Sequence, residues 1–166
     1  QIPIDLEADK LGLKILRKLN LQPRKKPAWK RWKQLVDQIR HPKKTLKVAI
    51  VGKYVDIGDY SLADSYISIN QALIHASANF GANVEINWVN SKELEKKGQD
   101  ISILKKYDGI IIPGGFGSSG VEGKIKAINY ARMHNTPFLG LCYGLQLAVV
   151  EYARAICHLQ DANTTE

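Results

Sequence analysis

The sequence has no methionine at its first position, only two cysteines, and no long apolar run. Each absence excludes something. An opening at Gln1 reads as a chain cut from something larger. No stretch approaches the roughly 18 apolar residues of a membrane span, and no secretory signal pattern leads the chain. Cys142 and Cys157 lie too far from any partner cysteines to form a disulfide framework or a metal site. These absences predict a protein without membrane association and without a metal of its own, with the cytoplasm as its default compartment.

Acidic residues are also scarce, but only at one end. The chain holds 24 Lys and Arg against 16 Asp and Glu, a formal net charge of +8. Residues 1–47 hold 14 basic against 4 acidic side chains (+10), which leaves 10 against 12 (−2) for the rest. The basicity thus belongs to the leading segment and reads as a solvated face, not a nucleic-acid site. No RNA-reading motif or zinc-finger spacing accompanies it. The 166 residues, 45% hydrophobic and 24% charged, suit one globular domain with its own core.

Residues 1–45 read as an interdomain linker with two short helices. One spans about 7–19. The other starts near Pro27, with Trp32, Leu35, Val36 and Ile39 at i, i+3, i+4, i+7 as a stripe to pack on a neighbouring domain. From residue 46 to 166 the pattern becomes α/β. Strands are expected at 47–51, 84–89, 109–112 and 137–141. Helices are expected at about 62–79, with Ile69, Leu73 and Ala76 on one face, at 121–134, and from 144 onward. That last helix carries Leu145, Ala148, Val149, Tyr152 and Ile156 at helical spacing. Alternating strands and helices with continuous apolar strands predict a parallel sheet flanked by helices. Ligands bind such sheets at the carboxyl ends of the strands.

Both informative loops fall there. Gly140-Leu141-Cys142-Tyr143-Gly144, at a strand-to-helix junction, is a G-x-C-x-G form of the nucleophile elbow. The flanking glycines admit a tight turn that lifts the cysteine above the sheet edge. The helix start behind it offers N–H groups and positive partial charge to an anion. The backbone N–H of Tyr143 can serve an oxyanion. A buried structural cysteine is the plain alternative for Cys142, and the preferred reading for Cys157, which is expected inside the following helix.

The second loop, Pro113-Gly114-Gly115-Phe116-Gly117-Ser118-Ser119-Gly120, fits G-x-G-x-x-G from Gly115 to Gly120. The dinucleotide reading needs an acidic residue about 20 positions on, and the next strand ends in Gly140-Leu141-Cys142. Presenting N–H groups to an oxyanion beside the elbow suits the glycines better, with a purely structural loop as the alternative. Gly52-Lys53 lacks the upstream glycine of a phosphate-binding loop. His41, His75, His134 and His158 read as surface or capping residues, and 59–66 as a mobile polar loop.

Together these segments resemble the glutaminase domains of CTP synthases, class I glutamine amidotransferases. The resemblance rests on Pro-Gly-Gly-Phe-Gly at 113–117, Val-Glu-Gly-Lys at 121–124, Gly-Leu-Cys-Tyr-Gly-Leu-Gln at 140–146, Ala-Asn-Thr-Thr-Glu at 162–166, Val-Gly-Lys-Tyr at 51–54 and the segment 64–73. The elbow and glycine loop indicate class I amidotransferases in general; the second and fourth segments single out CTP synthases.

The resemblance implies a parent that makes CTP from UTP, ATP and L-glutamine. It would use Mg²⁺ and ATP in a synthetase domain of the same chain, with GTP as activator and a homotetramer as the working form. Cys142 would be the nucleophile of a Cys-His-Glu triad, and Gly115 and Tyr143 the oxyanion donors. Gly114, Tyr143, Gly144, Leu145, Gln146 and Glu166 would hold glutamine. The family's His and Glu are expected beyond Glu166, which would leave the domain incomplete at its C-terminus and inactive alone. Ser119 stands where the family usually has Arg, and Tyr143 where Leu is more usual. Alternatives are an amidotransferase subunit of another biosynthetic enzyme, a non-catalytic binding module and, last, a dinucleotide-binding domain.

Overall fold

The computed structural model describes all residues except 54–55, 58–59, 62–65, 97, 116 and 166. The chain divides into two compact units, Gln1–Lys44 with Ile74–Asn83, and Thr45–Leu73 with Val84–Glu166.

In the first unit, α2 (Leu11–Lys18) lies within the helix expected over 7–19, whereas α1 (Ile2–Ala8) lies mostly before it. Lys10, with φ of +55°, is left-handed and breaks the run. Helix α3 (Lys30–Arg40) follows, with Trp32 and Ile39 exposed and Leu35 and Val36 half-buried.

Strand β1 (Lys44–Gly52) goes from exposed to fully buried along its length. Of a short antiparallel pair, β2 (Asp56–Ile57) precedes the expected polar loop 59–66 and β3 (Tyr60–Ser61) falls inside it. Helix α4 spans Ile67–Asn79, and the start expected near 62 falls on residues 62–65, which lie outside those described. Ile69 and Leu73 are half-buried as expected, whereas Ala76 is exposed and Ala78 takes the buried place. One alanine methyl gains too little from burial to orient a helix.

Strand β4 (Ala82–Asn90) leads into α5 (Ser91–Glu95), and a 3₁₀ turn at Ile101–Lys106 precedes β5 (Gly109–Ile112). Then come α6 (Val121–Met133), β6 (Phe138–Gly140) and α7 (Tyr143–Ala155). The sheet order is β4-β1-β5-β6, with β1, β5 and β6 mutually parallel. A parallel β5–β6 pair requires a crossover, and α6 supplies it. Ala49, Val51, Ile110 and Ile112 join Leu94, Leu104, Ile128 and Leu147 in one core. Ile50 and Ile111, which alternate with them, are buried too. Burial on both faces is why these strands read as unbroken apolar runs.

The stripe foreseen for α7 faces outward: Leu145, Val149, Tyr152 and Ile156 are exposed, and Tyr143, Gly144, Leu147, Val150 and Glu151 form the buried side. A helix apolar on two faces buries the one its sheet covers. Among the described residues no helix is long and apolar enough to cross a membrane.

Candidate active site

Register puts the two informative loops side by side. Ile112 pairs with Gly140 at the carboxyl ends of β5 and β6, so Pro113 and Leu141 leave adjacent strands at the same sheet edge. The Leu141 N–H donates to the Ile112 carbonyl at 2.9 Å, extending the ladder by one bond. The chain then turns sharply at Cys142, whose φ of +53° and ψ of −112° are a costly conformation for a residue with a side chain. Cys142 is exposed and caps α7; its carbonyl accepts from the N–H groups of Leu145 at 3.0 Å and Gln146 at 3.3 Å. Strain at an exposed thiol is the signature of an elbow rather than of a packed structural cysteine.

Gly114 lies against this thiol. A Cβ there would come 3.4 Å from Cys142 Cβ and 3.8 Å from Sγ. Gly115 follows with φ of +135°, and Gly120 (φ +80°) caps α6 from the left-handed region. The structure thus brings Gly114, Gly115 and Cys142 into one locality. Tyr143, Gly144, Leu145 and Gln146 fall on the first turn of α7. Tyr143 and Gly144 are buried, Gln146 half-buried, and the Leu145 side chain exposed. Glu166 lies outside the described residues. Ser119 is exposed, at the end of the glycine loop.

Cys157 departs from expectation. It lies past the end of α7 and is exposed. The helix stops at Ala155, and His158 with φ of +57° turns the chain back.

Two lysines to which the sequence reading gave no site role lie near this edge. Lys53, at the end of β1, donates from Nζ to the Gly117 carbonyl at 3.3 Å and so ties the β1 end to the glycine loop. Lys124, in α6, is 1% exposed, with Nζ 5.5 Å from the centre of the Tyr143 ring. Burial foremost, then the charge of Lys53, lowers its pKa from 10.5 to about 8. Only its place in the Val-Glu-Gly-Lys segment marked it in sequence. That segment has a packing logic as well: a Cβ on Gly123 would overlap the Ser91 carbonyl, so α5 and α6 can approach only over glycine. Glu95 Oε1 accepts from the Glu122 N–H at 3.1 Å in the same contact.

Helices α6 and α7 are joined by a buried ion pair. Glu151, 2% exposed, accepts from Arg132 Nη2 at 2.8 Å, Arg132 Nε at 3.0 Å and Asn129 Nδ2 at 2.7 Å. A cavity of about 720 Å³ opens beside this pair, lined by Ile101, Ile125, Asn129, Glu151 and Arg154 among others. None of the described sequence-predicted site residues borders it, so the elbow edge and not this cavity is the candidate site.

Comparison with known proteins gives the family. The family model described as glutamine amidotransferase class-I matches residues 61–165. CTP synthases of Sulfolobus acidocaldarius and Methanocaldococcus jannaschii are 46% and 45% identical over 166 and 172 residues. Those matches take in 100% of this chain but 30% and 31% of the relatives, so the chain spans under a third of their length. Among solved structures, the Trypanosoma brucei CTP synthase glutaminase domain with bound acivicin is 39% identical, with a TM-score of 0.64. That match covers 72% of this chain and 44% of the other.

Proposed function

The chain belongs to the class I glutamine amidotransferases, and on that premise we propose that it hydrolyses glutamine through Cys142 to supply ammonia to a CTP synthase. The observation that carries the reading is the turn at Cys142: a strained, exposed thiol at a helix start, with Gly114 packed against it and the loop of Gly115 alongside.

In this reading the Cys142 sulfur, as thiolate, attacks the carboxamide carbon of glutamine. The carbonyl oxygen takes up the charge and is held by the backbone N–H groups of Gly115 and Tyr143. Collapse of the adduct breaks the C–N bond; the nitrogen, given a proton, leaves as ammonia, and a glutamyl thioester remains. Water adds to the thioester carbon, the sulfur leaves, and glutamate and free Cys142 are restored. The thioester divides one difficult amide hydrolysis into two easier steps. Gly114, Gly144, Leu145, Gln146 and Glu166 complete the glutamine site.

The general base comes, in this reading, from a His backed by a Glu outside these 166 residues. The second unit holds two histidines. His134 Nδ1 is 2.9 Å from the Tyr130 carbonyl, with its ring stacked on Tyr130, and His158 lines the 720 Å³ cavity.

Ammonia would then pass to a synthetase domain of the same polypeptide, which aminates UTP in an ATP- and Mg²⁺-dependent step. Residues 1–45 serve as the connector, GTP as activator, and a cytoplasmic homotetramer as the working form. In this reading Mg²⁺ and ATP act in the synthetase part of the polypeptide.

The test is CTP formation by the full-length protein with glutamine or ammonia as nitrogen donor. Cys142→Ala is expected to abolish the glutamine-dependent reaction and spare the ammonia-dependent one. No CTP from either donor with the wild type would end the synthase reading. Acivicin, bound in the trypanosomal relative, is expected to protect Cys142 from iodoacetamide, read by peptide mass spectrometry.

A further inference from the structure

Beyond α7 the chain doubles back. The Leu159 N–H donates to the Ala153 carbonyl at 3.0 Å, and the Ala162 N–H to the Leu159 carbonyl at 3.0 Å. Arg154 holds the returning strand. Its Nε donates to the Ala162 carbonyl at 2.7 Å, and its Nη1 donates to Glu122 Oε1, on the first turn of α6, at 3.0 Å. Two residues on, the Thr164 hydroxyl donates to Gln146 Oε1 at 2.8 Å.

Gln146 lies about 12 Å from Arg154 along the helix axis, one turn from Cys142. The tail therefore runs from the far end of α7 toward the elbow. Arg154 is 23% exposed at its side chain and Thr164 and Gln146 are half-buried, whereas Glu122 is 59% exposed, so the hold is firmest at the Arg154–Ala162 and Thr164–Gln146 contacts.

A glutamine carboxamide offers an acceptor on one side and two donors on the other, and a flip exchanges them. With Oε1 committed to Thr164, the NH₂ group of Gln146 is the side left to serve a ligand. We infer that Thr164 is a positioning residue, held in place by the Glu122–Arg154–Ala162 clamp, that fixes Gln146 as a hydrogen-bond donor to an acceptor oxygen of the glutamine substrate. This rests on the function proposed above and deepens it. It also gives the separated segments around 122, 146, 154 and 164 one common purpose.

The experiment measures glutaminase kinetics of the full-length protein. Thr164→Val keeps the shape and removes the donor. It is expected to raise KM for glutamine roughly three- to tenfold, the usual effect of one lost hydrogen bond, and to move kcat less. Thr164→Ser, which returns the hydroxyl, is expected to restore KM. In a Gln146→Leu background, Thr164→Val is expected to raise KM no further, because the inferred route from Thr164 to the substrate runs through Gln146. Arg154→Lys keeps a cation near Glu122 but loses the two-point hold; it runs the same comparison if the valine variant does not fold.

An unchanged KM in Thr164→Val, or a rise that persists in the Gln146→Leu background for either variant, overturns the inference. A wild-type protein that makes no glutamate from glutamine overturns the reading of Cys142 instead, so the two failures are distinguishable.

Discussion

Gly144 stands so close to Ile112 that a Cβ on it would overlap the Ile112 carbonyl oxygen, the same oxygen that accepts the Leu141 N–H. The first turn of α7 can lie on the end of β5 only because residue 144 has no side chain. The elbow thus depends on strand β5 as much as on β6. Gly144→Ala is expected to cost upwards of about 2 kcal/mol, since the clash is with backbone that a ladder bond holds in place. A fall in Tm of several degrees in a thermal melt checks this. Gly12→Ala, in α2 with nothing within 4 Å of the new methyl, is the matched control and is expected to be neutral or slightly stabilising. Equal melts for the two variants would show that the close approach is not real.

Gly114 offers a subtler change. The contacts of a new methyl, 3.4 Å to Cys142 Cβ and 3.8 Å to Sγ, are ordinary van der Waals distances, so Gly114→Ala should fold. The methyl nonetheless occupies space beside the thiol that a reagent or substrate needs. Iodoacetamide is expected to label Cys142 several-fold more slowly in this variant, with exposed Cys157 as internal reference in the same digest. An unchanged ratio of the two labelling rates would mean that nothing approaches the sulfur from the Gly114 side.

The Arg132–Glu151 pair sets an acid limit. Burial works to raise the Glu151 pKa; the hydrogen bonds from Arg132 and Asn129 and the Arg132 charge outweigh it and hold the carboxyl below 4.5. A depressed carboxylate contributes stability that is full above the ordinary carboxylate range and is lost as pH falls through the lower folded value. Arg132→Ala leaves the Glu151 carboxylate with Asn129 alone and is expected to destabilise the protein at pH 7. Urea unfolding at pH 7 and pH 4 checks this: the variant's deficit should narrow at the lower pH. A deficit that stays constant would mean the carboxylate is not the group responsible.

Much of this arrangement was readable from the sequence, and the exceptions have physical causes. Strand β5 stood out because three isoleucines between Gly109 and Pro113 admit little else, and the elbow because its glycines bracket a cysteine between a strand and a helix. The break at Lys10 was not visible, since nothing about lysine announces a left-handed residue. The buried face of α7 was misjudged because apolar residues occupy both sides of that helix, and periodicity alone does not say which side a sheet will cover. Nothing in the sequence assigns burial to Lys124 or a tail contact to Arg154. Burial of the first and the tail contact of the second arise from neighbours distant in sequence.

Lys124 supplies the sharpest test, because its chemistry contradicts its position. Its Nζ is buried with no hydrogen-bond partner among the described residues, above the ring of Tyr143 and near the charge of Lys53. The unfolded chain holds this proton up to about 10.5, and the folded chain releases it at about 8. Between those values the unfolded state binds more protons, so stability rises with pH. Below pH 8 the amine is charged in both states, and the full penalty, about 3 kcal/mol, is present. Lys124→Met removes that penalty and with it a cation–π contact worth about 1 kcal/mol. The variant is therefore expected to be the more stable protein at pH 7, by about 2 kcal/mol, and to lose this lead as pH approaches 10. Unfolding curves of both proteins at pH 7, 8.5 and 10 measure the difference directly, and groups common to both cancel. A methionine variant less stable than wild type at pH 7 would mean that the ammonium is held by attraction stronger than the cost of its burial.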